Sequence, residues 1–413
     1  MPQAMPNKTV LISGIGVGGP ALAFWLQAAG FKPTLVERAP ALRTGGYVID
    51  FWGLGYDLAA RMGLLDDINR VGYHMRELRM VDGTGNYLAG FGTGVFNDLT
   101  GGRYITLGRS DLSQLIFDSV KTSSEILFGD EIVGLHNQAT CVDVEFKSGA
   151  RRSFDLVVGA DGLHSAVRRL GFGPQDRFEK NLGYSVAAFE VKGYRPRDEE
   201  VYVVHGEPGR QLARFALHDD RTLFLFIFAA QPGMPVEGLS LDAQKAILQR
   251  QFAADGWESA RILDELDDVE ELYFDSVSQI IMDRWSRDRI ALIGDAAFCI
   301  SLLGGQGAAL AVTSAYVLAG ELAKARGFHD AAFANYEALL RSYITAKQRG
   351  AERFAGFFAP RTRLGLVVRQ YAIKSFRIPG VAKFLIGADI ADSLQLPDYG
   401  FPSAISAASQ IAV

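Results

Sequence analysis

The chain has 413 residues and 48% hydrophobic content, enough for two or three domains around a sizeable core. Its net charge of −5 argues against a dedicated nucleic-acid binder. Its two cysteines, Cys141 and Cys299, lack a C-x-x-C spacing, so neither a disulfide framework nor a cysteine zinc site is indicated. Residues Met1–Lys8 carry no apolar signal-peptide run, and the isolated thiols suit a reducing compartment; a cytoplasmic location is expected.

Val10-Leu11-Ile12 predicts a buried strand. It breaks into Gly14-Ile15-Gly16-Val17-Gly18-Gly19-Pro20, and a helical run follows from Ala21 to Ala29, stopped by Gly30. A second apolar strand ends in Glu37-Arg38. This is a G-x-G-x-x-G fingerprint between a strand and a helix, with an acid about 20 residues on to bind a ribose. Gly14 permits the tight turn, Gly16 admits a pyrophosphate, and Gly19 lets the helix pack closely. The helix start offers unpaired N–H groups to phosphate. Gly14, Gly16, Val17, Gly18, Gly19, Glu37 and Arg38 are therefore candidate dinucleotide contacts.

A helix is expected near Tyr56–Met62, then short strands at Glu77–Val81 and Tyr87–Gly90. Leu107-Gly108-Arg109-Ser110-Asp111 opens a helix, with Ser110 or Asp111 as candidate cap. Strands follow around Ile132–Leu135 and Cys141–Phe146, with Ser148-Gly149 as a turn. Leu156–Ala160 reads as a buried strand ending at Asp161-Gly162. From about 178 to 275 the pattern alternates at period two. His218–Arg221 makes a turn, and in Thr222–Phe228 the phenylalanines Phe224, Phe226 and Phe228 share one face, with Leu223, Leu225 and Ile227 on the other. An aromatic face suits a flat apolar ligand, which makes Phe215, Phe224 and Phe226 candidate pocket residues; two-sided core packing explains the pattern equally well. Leu263–Glu271, with six acids, reads as a solvated helix face.

Arg289–Asp295 is another buried strand. It leads through Gly304-Gly305-Gln306-Gly307 to a long helix from Ala308. In an open α/β sheet this is a ligand edge. Asp295 can accept bonds from ligand hydroxyls, and the helix start favours an anion, as on the N1–C2=O edge of a reduced flavin; a glycine-rich helix start without a ligand is the alternative. The last region, from Glu352 to Asp389, has no acid between its ends, while Arg361, Arg363, Arg369, Lys374, Arg377 and Lys383 interleave with apolar residues. A C-terminal helix packed across the domains, its cations in water, is favoured over a membrane-surface helix, so membrane contact is not expected.

These motifs resemble the flavoprotein aromatic hydroxylases of the p-hydroxybenzoate hydroxylase type. The resemblance rests on Gly14–Gly19 with Glu37-Arg38, on Gly159–Arg168, and on Gly294-Asp295-Ala296-Ala297 with Gly304–Gly307. Leu35–Asp50 and Asp155–Arg168 look closest to tetracycline-inactivating monooxygenases and related hydroxylases of natural-product metabolism. The resemblance implies an α/β fold: a Rossmann-like FAD-binding domain interrupted by a β-rich substrate domain and followed by C-terminal helices. The expected boundaries are 1–72, 100–177 and 276–350 for the first, 73–99 and 178–275 for the second, and 351–413 for the last. It also implies FAD contacts at Arg43, Gly46, Tyr47, Asp50, Arg109, Asp161, Gly162, Gly294, Asp295, Gly304, Gly305, Gly307 and Ala308. Two departures stand out: Phe298 replaces the usual histidine and Leu302 the usual proline.

The activity so implied is oxygenation of a small aromatic or polyketide-like molecule. NAD(P)H reduces the flavin as a transient co-substrate, and O₂ then forms a C4a-hydroperoxide. No second G-x-G-x-x-G follows a strand, which agrees with transient NAD(P)H binding. No catalytic base stands out, His164 in the Asp-Gly loop included. A reductase or halogenase on the same scaffold, or a non-enzymatic flavin- and ligand-binding protein, are the alternatives. A monomer or homodimer is expected.

Overall fold

The apolar runs Thr9–Ser13, Lys32–Glu37 and Leu156–Gly159 form the centre of a six-stranded sheet, because strands buried on both faces need apolar residues on both. The computed structural model describes residues 7–43, 45–230, 238–378 and 380–401. Residues 1–6 and 402–413, assigned above to the first domain and the C-terminal segment, lie outside the described residues. In spatial order the sheet runs Ser286–Arg287, Ile290–Leu292, Leu156–Gly159, Thr9–Ser13, Lys32–Glu37, Glu125–Phe128. All neighbours are parallel except the first pair. Helices Gly18–Ala28 and Gly307–Lys324 pack against each other at the carboxyl edge of this sheet.

A seven-stranded sheet stands beside it: Tyr273–Ile280, Glu179–Lys192, Arg221–Ala229, Arg210–Ala216, Val201–Glu207, Glu77–Val81, Tyr87–Gly92. Val201 pairs with Glu77 in parallel register, so strands distant in sequence share one sheet. Residues Val48–Trp52 and Tyr104–Gly108 form a two-stranded ribbon. The helix His329–Phe358, about 45 Å long at 1.5 Å per residue, joins the halves. Near its start the Tyr336 hydroxyl donates to the Leu292 carbonyl (3.0 Å), and near its end Ala355 packs with Tyr184, Val186 and Ile227.

Three local expectations are corrected. The helix after the ribbon runs Arg109–Asp118 with Gly108 at its N-cap; Ser110 and Asp111 fall inside its first turn, and Asp111 accepts from the Gly108 N–H. The acid-rich stretch is helical only from Ser259 to Asp264, with a 3₁₀ turn to Asp268, because Leu266 must turn inward to the core. In the C-terminal region Arg369 is buried, not solvated; its Nη1 donates to the Gln211 Oε1 at 2.7 Å.

Candidate active site

A cavity of about 540 Å³ extends from the glycine turn to the seven-stranded sheet. Its size is in the range of enclosed ligand sites. Gly14, Gly16, Val17, Gly18, Glu37, Arg38, Arg43, Asp161 and Gly162 line it, as do Gly294, Asp295, Gly305, Gly307 and Ala308. Tyr47, Asp50 and Arg109 also line it. The structure therefore brings most of the sequence-predicted cofactor residues around one space. Gly19, Gly46 and Gly304 do not line it.

The glycines at the turn do different work. A Cβ on Gly19 would sit 2.0 Å from the Gly14 carbonyl oxygen, and one on Gly14, whose φ is +101°, would sit 2.6 Å from the Ala160 carbonyl oxygen. Both are fixed by packing within the protein. A Cβ on Gly16 would meet only the Arg109 guanidinium, 3.9 Å away; that space is free for a ligand. The Gly14 N–H donates to the Val36 carbonyl (2.8 Å) and the Ile15 N–H to the Glu37 Oε2 (3.0 Å), which tie the turn to the second strand.

Arg109 lines the cavity with its side chain exposed to that open space, and among the described residues it is in no ion pair with a carboxylate. A guanidinium at a cavity wall suits an anionic ligand, and a diphosphate beside Gly16 would supply one. Asp295 stands against the start of Gly307–Lys324, its Oδ1 3.5 Å from where a Gly307 Cβ would be. Burial pushes the Asp295 carboxyl up from the usual carboxylate range, and the nearby Arg109 opposes this. Burial raises Asp161 too, against bonds from the Ser165 hydroxyl and the Val167 N–H (3.1 Å). Asp50 is also raised by burial; it accepts from Thr106 (2.6 Å) and Tyr104 (2.8 Å), which ties it to the ribbon. Burial pushes the Tyr47 phenol up to about 12, so it is a neutral hydroxyl at any physiological pH. The residues fit an FAD: close-packed glycines at the turn, a cation for the diphosphate, a carboxylate for hydroxyls, and a helix N-terminus for the ring.

A loop and a short helix at the cavity are joined by one buried side chain. Arg168 donates from Nη1 to the Ala296 carbonyl (2.9 Å) and from Nη2 to the Leu163 carbonyl (2.6 Å) and the Gln175 Oε1 (3.0 Å). His164 Nε2 lies 3.1 Å from an Asp275 carboxylate oxygen, and both residues line the cavity. Phe298 is buried against Trp285 (4.6 Å between centroids), so this departure is absorbed by the core, while Leu302 lines the cavity.

The substrate wall is corrected at two of three positions. Phe215 lines the cavity and stacks on Tyr202 (4.6 Å). Phe224 and Phe226 point to the opposite side, where they pack with Phe189, Leu248, Phe252 and Ile262 beneath the helices Leu241–Phe252 and Ser259–Asp264. The cavity face of that strand is Leu223, Leu225 and Ile227. Alternation defined the two faces, but both are apolar, and the helices that cover one of them lie further along the chain. Tyr202, Gln211, Tyr273, Asp275 and Cys299 also line the cavity and were not singled out; position on the cavity face of an alternating strand is the signal for the first three. Phe226→Ala is accordingly expected to cost about 3–5 kcal/mol of stability with substrate KM unchanged. Leu225→Ala should do the reverse, raising KM with a smaller stability loss. Chemical denaturation and steady-state kinetics on the two variants check this.

The FAD binding domain family matches residues 7–343. A protein of Mycobacterium tuberculosis with no assigned activity is 40% identical over 349 residues, 83% of this chain and 92% of the relative. A flavin-dependent monooxygenase from an unknown prokaryotic organism is 36% identical over 349 residues, 83% of this chain and 89% of the relative. The crystal structure of the tetracycline destructase Tet(55) has a TM-score of 0.81 and 30% identity, and the likeness covers 96% of this chain and all of the other. With this match over most of its length, and with a cavity whose residues suit the cofactor, the chain belongs to the FAD binding domain family of flavin-dependent monooxygenases.

Proposed function

We propose that this FAD-dependent monooxygenase consumes NAD(P)H and O₂ to hydroxylate an aromatic or polyketide-like compound, tetracycline-like molecules included. The observation that carries the reading is the continuity of one cavity from the glycine turn to an apolar wall of Phe215, Tyr202, Leu223 and Leu225. The likeness to a tetracycline destructase supports a multi-ring substrate. We also propose the division into a discontinuous FAD domain, the seven-stranded substrate domain and C-terminal helices.

When bound, the flavin supplies the redox chemistry, accepting hydride and activating oxygen for transfer to an electron-rich carbon. The protein's part is to hold, orient and dry. Arg109 would neutralise the diphosphate beside Gly16, and Glu37 would hold the adenosine ribose. Asp295 would accept from ribityl hydroxyls. The N-terminus of Gly307–Lys324 carries about half a positive charge and would stabilise negative charge at the ring edge. The apolar side chains of the substrate sheet exclude water from the reacting face. Tyr47 offers an un-ionised hydroxyl beside Arg109.

The test is a screen of phenols, aromatic polyketides and tetracyclines for stimulated NAD(P)H oxidation, with ¹⁸O₂ and product mass. At least one compound should accelerate oxidation and gain one labelled oxygen atom. Accelerated oxidation with an unlabelled, reduced product would overturn the monooxygenase reading of the substrate step in favour of a reductase.

A further inference from the structure

The helix Arg363–Ser375 is amphipathic in an unusual sense. Its inward face carries buried Arg369 and Ile373, and Gln370 donates to the Leu88 carbonyl (3.3 Å). Its outward face carries Leu364 (74% exposed), Val367, Val368 (59%) and Tyr371 (66%). These recur at the spacing of one helical stripe. Ile378 and, on the next helix (Val381–Ile390), Phe384 (88% exposed) and Leu385 are exposed as well. Single exposed apolar residues need no explanation, but a run of large ones on adjoining helices marks an interaction surface.

The charge of this surface is one-sided. Arg361, Arg363, Lys374, Arg377 and Lys383 are all exposed. The partners they have are neutral: Arg361 donates to the Gly183 carbonyl (3.1 Å), Arg377 to the Gly90 carbonyl (3.1 Å), and Lys374 lies 5.6 Å from the Tyr371 ring centroid. The acids on neighbouring elements include Asp98, on the helix Gly94–Thr100 that packs with Val381–Ile390, and Glu77, which lines a cleft with Arg377 and pairs with Arg79. Two copies of this face would set like charges against each other. An anionic lipid surface satisfies both halves, since the cations meet headgroups while the apolar stripe enters the acyl boundary. Among the described residues no helix is long and apolar enough to cross a membrane, so the attachment lies in the interface.

We propose that the exposed side chains of residues 361–378 and 380–385 dock this protein on an anionic membrane surface. The inference reverses the expectation from sequence and is independent of the substrate reading. It has a functional corollary: the same helix touches the cavity wall through Arg369 and Gln211, so the substrate site lies one helix away from the bilayer.

The test uses the full-length, FAD-loaded protein in co-sedimentation with vesicles of phosphatidylcholine, with and without phosphatidylglycerol. Binding should require the anionic lipid and weaken as salt rises. The triple variant Leu364→Ser, Tyr371→Ser, Phe384→Ser should bind at least about tenfold more weakly, and Lys374→Glu with Lys383→Glu likewise. Retained flavin absorbance shows that each variant is folded. No sedimentation with anionic vesicles overturns the proposal. So does a concentration-dependent dimer in light scattering that the serine variant abolishes without any change in vesicle binding.

Discussion

Gly19→Ala is expected to lose FAD affinity by at least about tenfold and to lower stability, although alanine is the better helix former. The propensity gain is roughly 1 kcal/mol. Against it stands a new Cβ only 2.0 Å from the Gly14 carbonyl oxygen and 3.3 Å from Ile12 Cγ2. The Gly14 carbonyl cannot retreat, because Gly14 is itself pressed against Ala160 and tied to Val36. The helix must therefore move, at an overpacking cost of about 1–3 kcal/mol or more, and the N–H groups at its start move with it. Gly16→Ala provides the contrast. Its Cβ meets nothing closer than Arg109 at 3.9 Å, so the apoprotein should melt normally. The added methyl nevertheless enters the space proposed for the diphosphate, and FAD affinity should fall. Thermal unfolding of the two apoproteins, with flavin titrations followed by absorbance, separates the packing glycine from the ligand glycine.

Arg168→Ala is expected to cost about 3–5 kcal/mol and to release FAD, though Arg168 does not line the cavity. Its guanidinium is fully buried and donates to the Leu163 carbonyl on one cavity loop and to the Ala296 carbonyl on the short helix Asp295–Phe298. Bonds to a charged donor contribute about 1.5–3 kcal/mol each, and the carbonyls left behind would be buried without a partner. The loop carrying Asp161 and the helix carrying Asp295 would then lose their mutual register. Arg168→Lys should be intermediate, since one ammonium lacks the planar fork that spans both. Denaturant unfolding and retained flavin per mole of purified protein check both variants.

How far the chain could be read before its fold was known follows from which forces are local. The opening strand, turn and helix were legible because glycine spacing, apolar runs and a proline in the first helical turn agree with one another. The helix starts at Gly18, ahead of the expected Ala21, because residues of a glycine turn can already adopt helical angles. The strands at Glu77–Val81 and Leu156–Gly159 were likewise set by their own alternation or apolarity. The orientation of Phe224 and Phe226 was not legible. Period two fixes that they share a face, but which face turns to the cavity is decided by helices 241–268, packed onto it from further along the chain. In the sequence Arg168 is simply the last residue of the Gly159–Arg168 motif; its partner at Ala296 is 128 residues away, and no local pattern announces such a bond. The outward-facing apolar stripe at Leu364–Tyr371 was hidden for a related reason. A sequence shows that a helix has an apolar face, and only the packing of Arg369 and Ile373 against the sheet shows that this face is turned outward.

One FAD is expected to lie along this cavity, its diphosphate at the Gly14–Gly19 turn beside Arg109 and its ring at Gly305–Ala308 beside Asp295. A crystal structure of the FAD-loaded enzyme tests this placement most directly. Diphosphate density is expected within hydrogen-bond reach of the Gly16 or Val17 N–H and the Arg109 guanidinium, with the flavin ring facing Phe215 and Leu225. Density for the diphosphate away from the glycine turn, or a ring on the Phe224–Phe226 side of the sheet, would contradict it.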